Sequence, residues 1–193
     1  MPGPKILVIP GSLRTGSFNV KLAALAVKEL TLNDVEATRI SLADYPLPMY
    51  DGDEEANAGP PENAVKLKRM IAAHHGVFIA TPEYNASVAP LLKNAIDWIS
   101  RVRERSELPY TAFKERVFAL GSASPQAAGG LRSLMALRQI LELGCGAIVL
   151  PEQLAIQNAE RAFDERDNIA DVATANALRS QLARLVEMAR LMM

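Results

Sequence analysis

The sequence predicts an α/β protein of three layers: a five-stranded parallel sheet, in the order 2-1-3-4-5, between two layers of helices. Strand and helix signals alternate from end to end, which calls for crossover connections and a sheet covered on both faces. Residues 5–19 already show the unit: an apolar run, a Gly/Ser/Arg loop, then an amphipathic stretch. At 193 residues the chain has the usual size for one domain with a sizeable core. It reads as a single domain over 1–193, without repeat, linker or low-complexity segment.

The first strand is expected near 5–9 and the first helix near 18–30. Val35 to Ile40 alternates weakly and suits an edge strand. Residues 44–61, rich in Pro, Gly, Asp and Glu, read as a long surface loop. Helix two is placed over 62–75 and strand three over Gly76 to Thr81. Helix three, about 88–104, carries Leu91, Leu92, Ala95, Ile96 and Ile99 at helical spacing. Strand four follows near 116–121, helix four near 127–143, strand five near 146–150, and a last amphipathic helix over 169–191.

In the order 2-1-3-4-5 the winding reverses between strands one and three. Ligands of open α/β sheets bind outside the carboxyl ends of the strands at that point. Loops 10–17 and 82–87 are therefore expected to meet over one ligand.

The first of these loops suits a phosphomonoester. It places free backbone N–H groups at the positive end of a helix dipole. Ser12, Ser17 and Asn19 add neutral donors, and Arg14 adds a fork-shaped cation. A serine-rich turn that only caps a helix needs neither Arg14 nor so many donors. Gly11 and Gly16 have P-loop spacing, but Ser17 and Phe18 stand where Lys and Ser/Thr are required, which argues against nucleotide hydrolysis. Leu13 occupies the second glycine position of the dinucleotide fingerprint. No cysteine precedes Arg14 in the loop to serve as a phosphatase thiolate.

The second loop reads Pro82-Glu83-Tyr84-Asn85-Ala86-Ser87. Tyr84 and Phe18 offer packing surfaces for a flat ring, and Asn85 with nearby N–H groups can address its heteroatoms. Taken alone, the segment equally fits an Asx-type turn in which Tyr84 fills a gap. A third polar loop, 121–130, is expected beside it.

Composition narrows the partners. A formal net charge of −1 gives no electrostatic footprint for nucleic acid or an anionic membrane. No stretch approaches membrane-spanning length, and the N-terminal apolar run is too short for a signal peptide. One cysteine, Cys145, forms no internal disulfide and suits a reducing compartment, so a cytoplasmic location is expected.

The segments GSLRTGSFN (11–19), PEYNAS (82–87), LKNAIDW (92–98) and SPQAAGG (124–130) resemble the NADPH-dependent FMN reductase family. That family includes quinone, chromate and azo-dye reductases. The resemblance implies a flavodoxin-like fold, bound FMN, NADPH or NADH as co-substrate, and homodimers that pair into dimers of dimers. By the same resemblance Arg14, Thr15, Gly16, Ser17, Phe18 and Asn19 would hold the phosphate. Glu83, Tyr84, Asn85, Ala86 and Ser124 would line the ring. One departure is visible: many relatives place proline two residues after the serine of PEYN-x-S, whereas here Pro90 comes one position later.

Other residues are expected to be structural. His74 and His75 end a helix, where imidazoles meet terminal carbonyls, and no ligand spacing points to a metal. Cys145 lies between two glycines and is expected to be inert. Asp53, Glu54 and Glu55 read as a solvated acidic run. Leu182 to Met193 reads as a docking stripe, and Trp98 as part of a subunit interface across helix three. A flavin carries its own redox chemistry, so no catalytic protein residue is required. The expected activity is electron transfer from a nicotinamide to a quinone-like or other small oxidant such as free flavin, azo dye or chromate. The alternatives are a non-enzymatic FMN electron carrier and a flavin-free scaffold.

Overall fold

Five apolar segments pair in parallel in the order β2-β1-β3-β6-β7 in a computed structural model that describes residues 3–104 and 106–193. The sheet strands are β1 (Lys5–Pro10), β2 (Glu36–Arg39), β3 (Gly76–Ala80), β6 (Val117–Ala123) and β7 (Ile148–Ile156). This is the expected 2-1-3-4-5 arrangement. Every residue of β3 and β6 is buried, whereas β2 is half exposed along the edge.

Helices α1 (Phe18–Leu32) and α8 (Val172–Arg190) cover one face. Their Leu22, Leu25, Leu182 and Leu185 pack on Ile6, Val8 and Phe78. The other face carries α3 (Glu62–Ala72), α4 (Pro90–Arg101) and α6 (Leu131–Gln139), with Leu67, Leu92, Ile96 and Leu134 against Leu7, Ile79 and Leu120. Leu182, Leu185, Val186 and Ala189 are thus core residues, and the expected docking stripe is reduced to the exposed Leu191 and Met193.

Five segments depart from expectation. Residues 44–61 contain a helix, α2 (Gly52–Ala58), capped by the Asp51 carboxylate, which accepts the Asp53 N–H at 2.8 Å. This segment lies over α4. Trp98 Nε1 donates to Pro48 O at 2.8 Å and its ring meets Tyr50 edge-on at 5.0 Å, so Trp98 is buried within its own chain rather than offered as an exposed surface. Glu55 receives Arg101 Nε and the Tyr50 hydroxyl at 2.8 Å, so the acidic run holds a latch. These two partners hold its carboxyl below the usual range.

The last strand does not stop at Leu150 as expected. A bulge accommodates Pro151, which removes a ladder donor, and β7 then resumes pairing from Gln153. Gln181 Nε2 spans the irregularity, donating to Leu120 O and Glu152 O at 2.9 Å. Helix two ends at Ala72 rather than 75. Helix three is shortened to Pro90–Arg101, with Pro90 at its first position, where the missing N–H costs no intrahelical bond. Helix four starts only at Leu131 and ends in a π turn over Ile140–Gly144.

His74 accepts its expected place: Nδ1 lies 2.6 Å from Met70 O. His75 Nδ1 accepts the Lys5 N–H at 3.0 Å and so joins β1 at the amino edge of the sheet. Burial, then the charges of Arg116, His74 and Lys5, push its pKa below 6.5. A folded imidazole that resists protonation binds fewer protons than the unfolded one. Its contribution to stability is therefore complete above the ordinary value and declines as pH falls through it. Between pH ~7 and ~5, above the carboxylate range, the melting temperature of wild type is expected to fall more than that of His75→Gln. Parallel melting curves at the two pH values check this.

Candidate functional site

β1 ends at Pro10, and the next N–H, of Gly11, donates to Ala80 O at 2.8 Å, so the following loop starts against β3. Leu13 through Gly16 are exposed. Ser12 is buried, and its Oγ accepts the Arg14 N–H at 3.3 Å. Ser17 caps α1, its Oγ accepting the Asn19 N–H at 3.3 Å. Gly16 has φ +71 with open space around it, so the backbone conformation alone selects glycine here. The N–H groups of Leu13, Thr15, Gly16 and Phe18 make no hydrogen bond among the described residues. The exposed Arg14 guanidinium likewise has no partner among them. Unpaired donors at a helix N-terminus, with one cation beside them, suit a phosphate dianion.

Two expected ligands have other work. The Asn19 amide is buried, donating to Ala123 O at 3.0 Å and accepting the Ala123 N–H at 2.9 Å. It ties α1 to the end of β6, where its oxygen and one of its two N–H donors are committed. The Phe18 ring stacks on Phe163, 6.1 Å away at 9°, so one of its faces is already covered within the chain.

Pro82 is buried, and the chain turns up into a hairpin of β4 (Glu83–Tyr84) and β5 (Ser87–Val88). Asn85 and Ala86 form its turn with φ values of 50° and 62°. Two positive φ values in a two-residue loop make a primed turn, whose twist matches the strands, rather than an Asx-type turn. Tyr84 is 48% exposed, so it fills no internal gap. Ala86 and Ser87 are exposed with it, whereas Val88 is buried.

The Glu83 side chain is nearly buried, and its carboxylate is taken up at the start of α6. Oε2 accepts the Arg132 N–H at 3.1 Å, and Oε1 pairs with the Arg132 guanidinium. Glu83 thus holds the hairpin from beneath. The third loop follows β6. Ser124 N–H donates to Ile156 O at 3.0 Å and Ser124 Oγ accepts the Gln126 N–H at 3.3 Å. Pro125 through Ala127 are exposed. Three exposed rims therefore stand at the carboxyl ends of three neighbouring strands, β1, β3 and β6.

The sequence profile of NADPH-dependent FMN reductases matches residues 4–161, all three rims included. The chain belongs to that family. It is 35% identical over 183 residues to the NAD(P)H-dependent FMN reductase PA1204 of Pseudomonas aeruginosa, covering 94% of this chain and 92% of that protein. It is 33% identical over 186 residues to a quinone reductase of Escherichia coli, covering 95% and 94% of the two chains. Among solved structures, FerB, a flavoenzyme NAD(P)H:(acceptor) oxidoreductase from Paracoccus denitrificans, superposes with a TM-score of 0.79 at 29% identity. That superposition covers 97% of this chain and 98% of that one.

For a member of this family, the site is open and free of competing chemistry. His74 and His75 lie at the opposite, amino edge of the sheet, where His75 meets Lys5. Burial pushes the Cys145 thiol up to about 11, so it is neither a nucleophile nor a ready metal ligand. No helix among the described residues is long and apolar enough to cross a membrane. Arg132 had no sequence signal: it meets Glu83 of the hairpin only because β3 and β6 are adjacent.

Proposed function

We propose that this reductase binds FMN across the three rims and passes electrons from NADPH or NADH to small oxidants. Quinones lead that class, with free flavin, azo dyes and chromate as further candidates. The observation that carries the reading is the phosphate cradle: the N–H groups of Leu13, Thr15, Gly16 and Phe18, unpaired among the described residues, beside an Arg14 guanidinium that has no partner among them either. In this reading Ser12 supports the loop from within, Thr15, Gly16 and Ser17 shape it, and Arg14 closes on the phosphate. Tyr84, Asn85, Ala86 and Ser124 border the ring, with Pro82 and Glu83 fixing their hairpin.

When bound, FMN supplies a two-electron hydride acceptor that can pass its electrons on to a second substrate. The chain's own task is to orient that ring and leave one face open, which the exposed turn at Asn85 and Ala86 allows. Steady-state oxidation of NADPH and NADH against a panel of oxidants tests the proposal. Turnover that requires both FMN and an oxidant supports it. Bound flavin that neither nicotinamide bleaches would favour the electron-carrier reading instead.

Arg14→Ala is expected to weaken FMN binding by roughly 1.5–3 kcal/mol, the range for hydrogen bonds to charged groups. Fluorescence titration of apoprotein with FMN checks this, and equal affinities would remove Arg14 from the cradle.

We further propose a cytoplasmic homodimer, with pairing of dimers as its extension. With Trp98 covered, the apolar surface beside the site is Leu13, Leu47 and Leu91 around a groove of about 350 Å³. Light scattering that shows a fully active monomer would reject the dimer.

A further inference from the structure

We propose that Arg132 is a positioning residue that locks together the β4–β5 hairpin and the 124–130 loop, and thereby fixes how the flavin ring is held. The inference rests on reading the three rims as an FMN site. It starts from a weakness in the hairpin. Each of its strands has two residues, and they pair only with each other, outside the main sheet. An isolated two-stranded hairpin is marginal in water, so its position must be set by anchors.

The structure supplies two anchors at one level of the ladder. Glu83 and Val88 are register partners. Val88 is buried against the α4 face, and the Glu83 side chain is 7% exposed at the start of α6. The other pair, Tyr84 and Ser87, stands free above them. Val88 holds one strand by packing, and Glu83 holds the other by charge.

The Glu83 carboxylate acts as a cap supplied from outside the helix. The first N–H groups of a helix lack intrahelical partners, and the dipole favours an anion there. The Arg132 N–H meets one carboxylate oxygen at 3.1 Å, and its guanidinium takes the other. Nη2 of that guanidinium also reaches Gln126 Oε1 at 3.4 Å. One side chain thus joins α6, the hairpin and the third loop. Its anchorage is itself rigid, because Gly130, with φ +85, seats α6 directly on buried Ser122.

An exposed ion pair contributes little. Here one partner is nearly buried and is held by two donors of a single residue, which gives the pair a defined geometry. Both side-chain contacts fall on Nη2, whose hydrogens the planar guanidinium aims in fixed directions. A lysine ammonium, on a shorter stem and free to rotate, keeps the pairing with Glu83 but not the reach to Gln126.

The test combines amide hydrogen exchange of the apoprotein with FMN titration, using Arg132→Met, Arg132→Lys and Glu83→Gln. In Arg132→Met, exchange over 83–88 and 124–130 is expected to speed up about tenfold, while the sheet and α8 keep their rates. The FMN dissociation constant rises about tenfold, and the bound flavin's visible spectrum shifts toward that of free FMN. Glu83→Gln reproduces the effect over 83–88. Arg132→Lys restores protection over 83–88 but not over 124–130. Unchanged exchange in Arg132→Met overturns the lock, and faster exchange with unchanged affinity and spectrum overturns its role toward the ring. Wild-type protein that binds no FMN overturns the cofactor reading and that role with it, while the exchange arm still decides whether Arg132 couples the loops.

Discussion

Gly130→Ala is expected to lower the unfolding free energy by roughly 3 kcal/mol, because left-handed backbone and overpacking act together at this position. A Cβ there would lie 1.9 Å from Ser122 Oγ and 2.8 Å from Ser122 Cβ. Rotating the serine hydroxyl relieves the first contact but not the second, and Ser122 is fully buried in β6. The backbone at φ +85 adds its own cost of about 1–2 kcal/mol for any L side chain. Gly16→Ala separates the two causes, since φ is +71 there but nothing lies within 4 Å of a Cβ. Gly16→Ala is therefore expected to cost only the conformational part, about 1–2 kcal/mol. Urea unfolding of the two variants checks the difference. Pairing Gly130→Ala with Ser122→Gly should return the steric part alone. Because Gly130 seats α6, and α6 carries Arg132, the same variant is expected to loosen the β4–β5 hairpin.

The sheet order was legible because it depends on features that short windows of sequence carry. Apolar runs such as Ile6 to Ile9 and Val77 to Ala80 can be buried on both faces only between helices. The three loops were legible for the same reason: the strand order alone brings 10–17, 82–87 and 124–130 to one edge. What escaped was long-range pairing of polar groups. Asn19 has the composition of a phosphate donor, and nothing near it in sequence reveals that Ala123 claims both ends of its amide. Glu83 sits in the PEYNAS segment, yet its partner lies 49 residues away on α6.

Coverage was the second hidden quantity. Trp98 on an amphipathic helix suggested a subunit interface, because the residues that cover it, Pro48 and Tyr50, lie in a stretch whose Pro and Gly content signals a loop. Composition reports that such a stretch is irregular, not where it lies. Pro151 misled in the opposite direction. Proline normally ends a central strand, but on an edge strand with a bulge it does not, and Gln181 supplies the bridging donors. The hairpin turn was half legible. Asn85 tolerates positive φ, but Ala86 at 62° breaks the local preference, as residues at functional edges do.

Asn19→Ala is expected to cost roughly 2–6 kcal/mol of stability, from leaving a buried N–H and a buried C=O unpaired at about 1–3 kcal/mol each. The partners are the N–H and carbonyl of Ala123, met at 2.9 and 3.0 Å by a side chain that is 3% exposed. The amide serves here as an extra strand residue, pairing the end of β6 with the first turn of α1. Removing it frees the cradle from the sheet, so FMN affinity is expected to fall with stability even though no phosphate ligand has been deleted. Asn19→Asp distinguishes this pairing from simple packing. A carboxylate still accepts the Ala123 N–H but turns an acceptor toward the Ala123 carbonyl. Its protonated form donates there and restores the pair. The folded state would then favour the protonated acid and hold its pKa above the ordinary carboxylate value, so the stability of Asn19→Asp relative to Asn19→Ala should rise as pH falls. Denaturant unfolding of both variants at pH ~7 and ~5 measures the crossing. Equal pH dependence in the two would mean that α1 is anchored by packing alone, and an unchanged unfolding midpoint for Asn19→Ala would mean that Ala123 finds other partners.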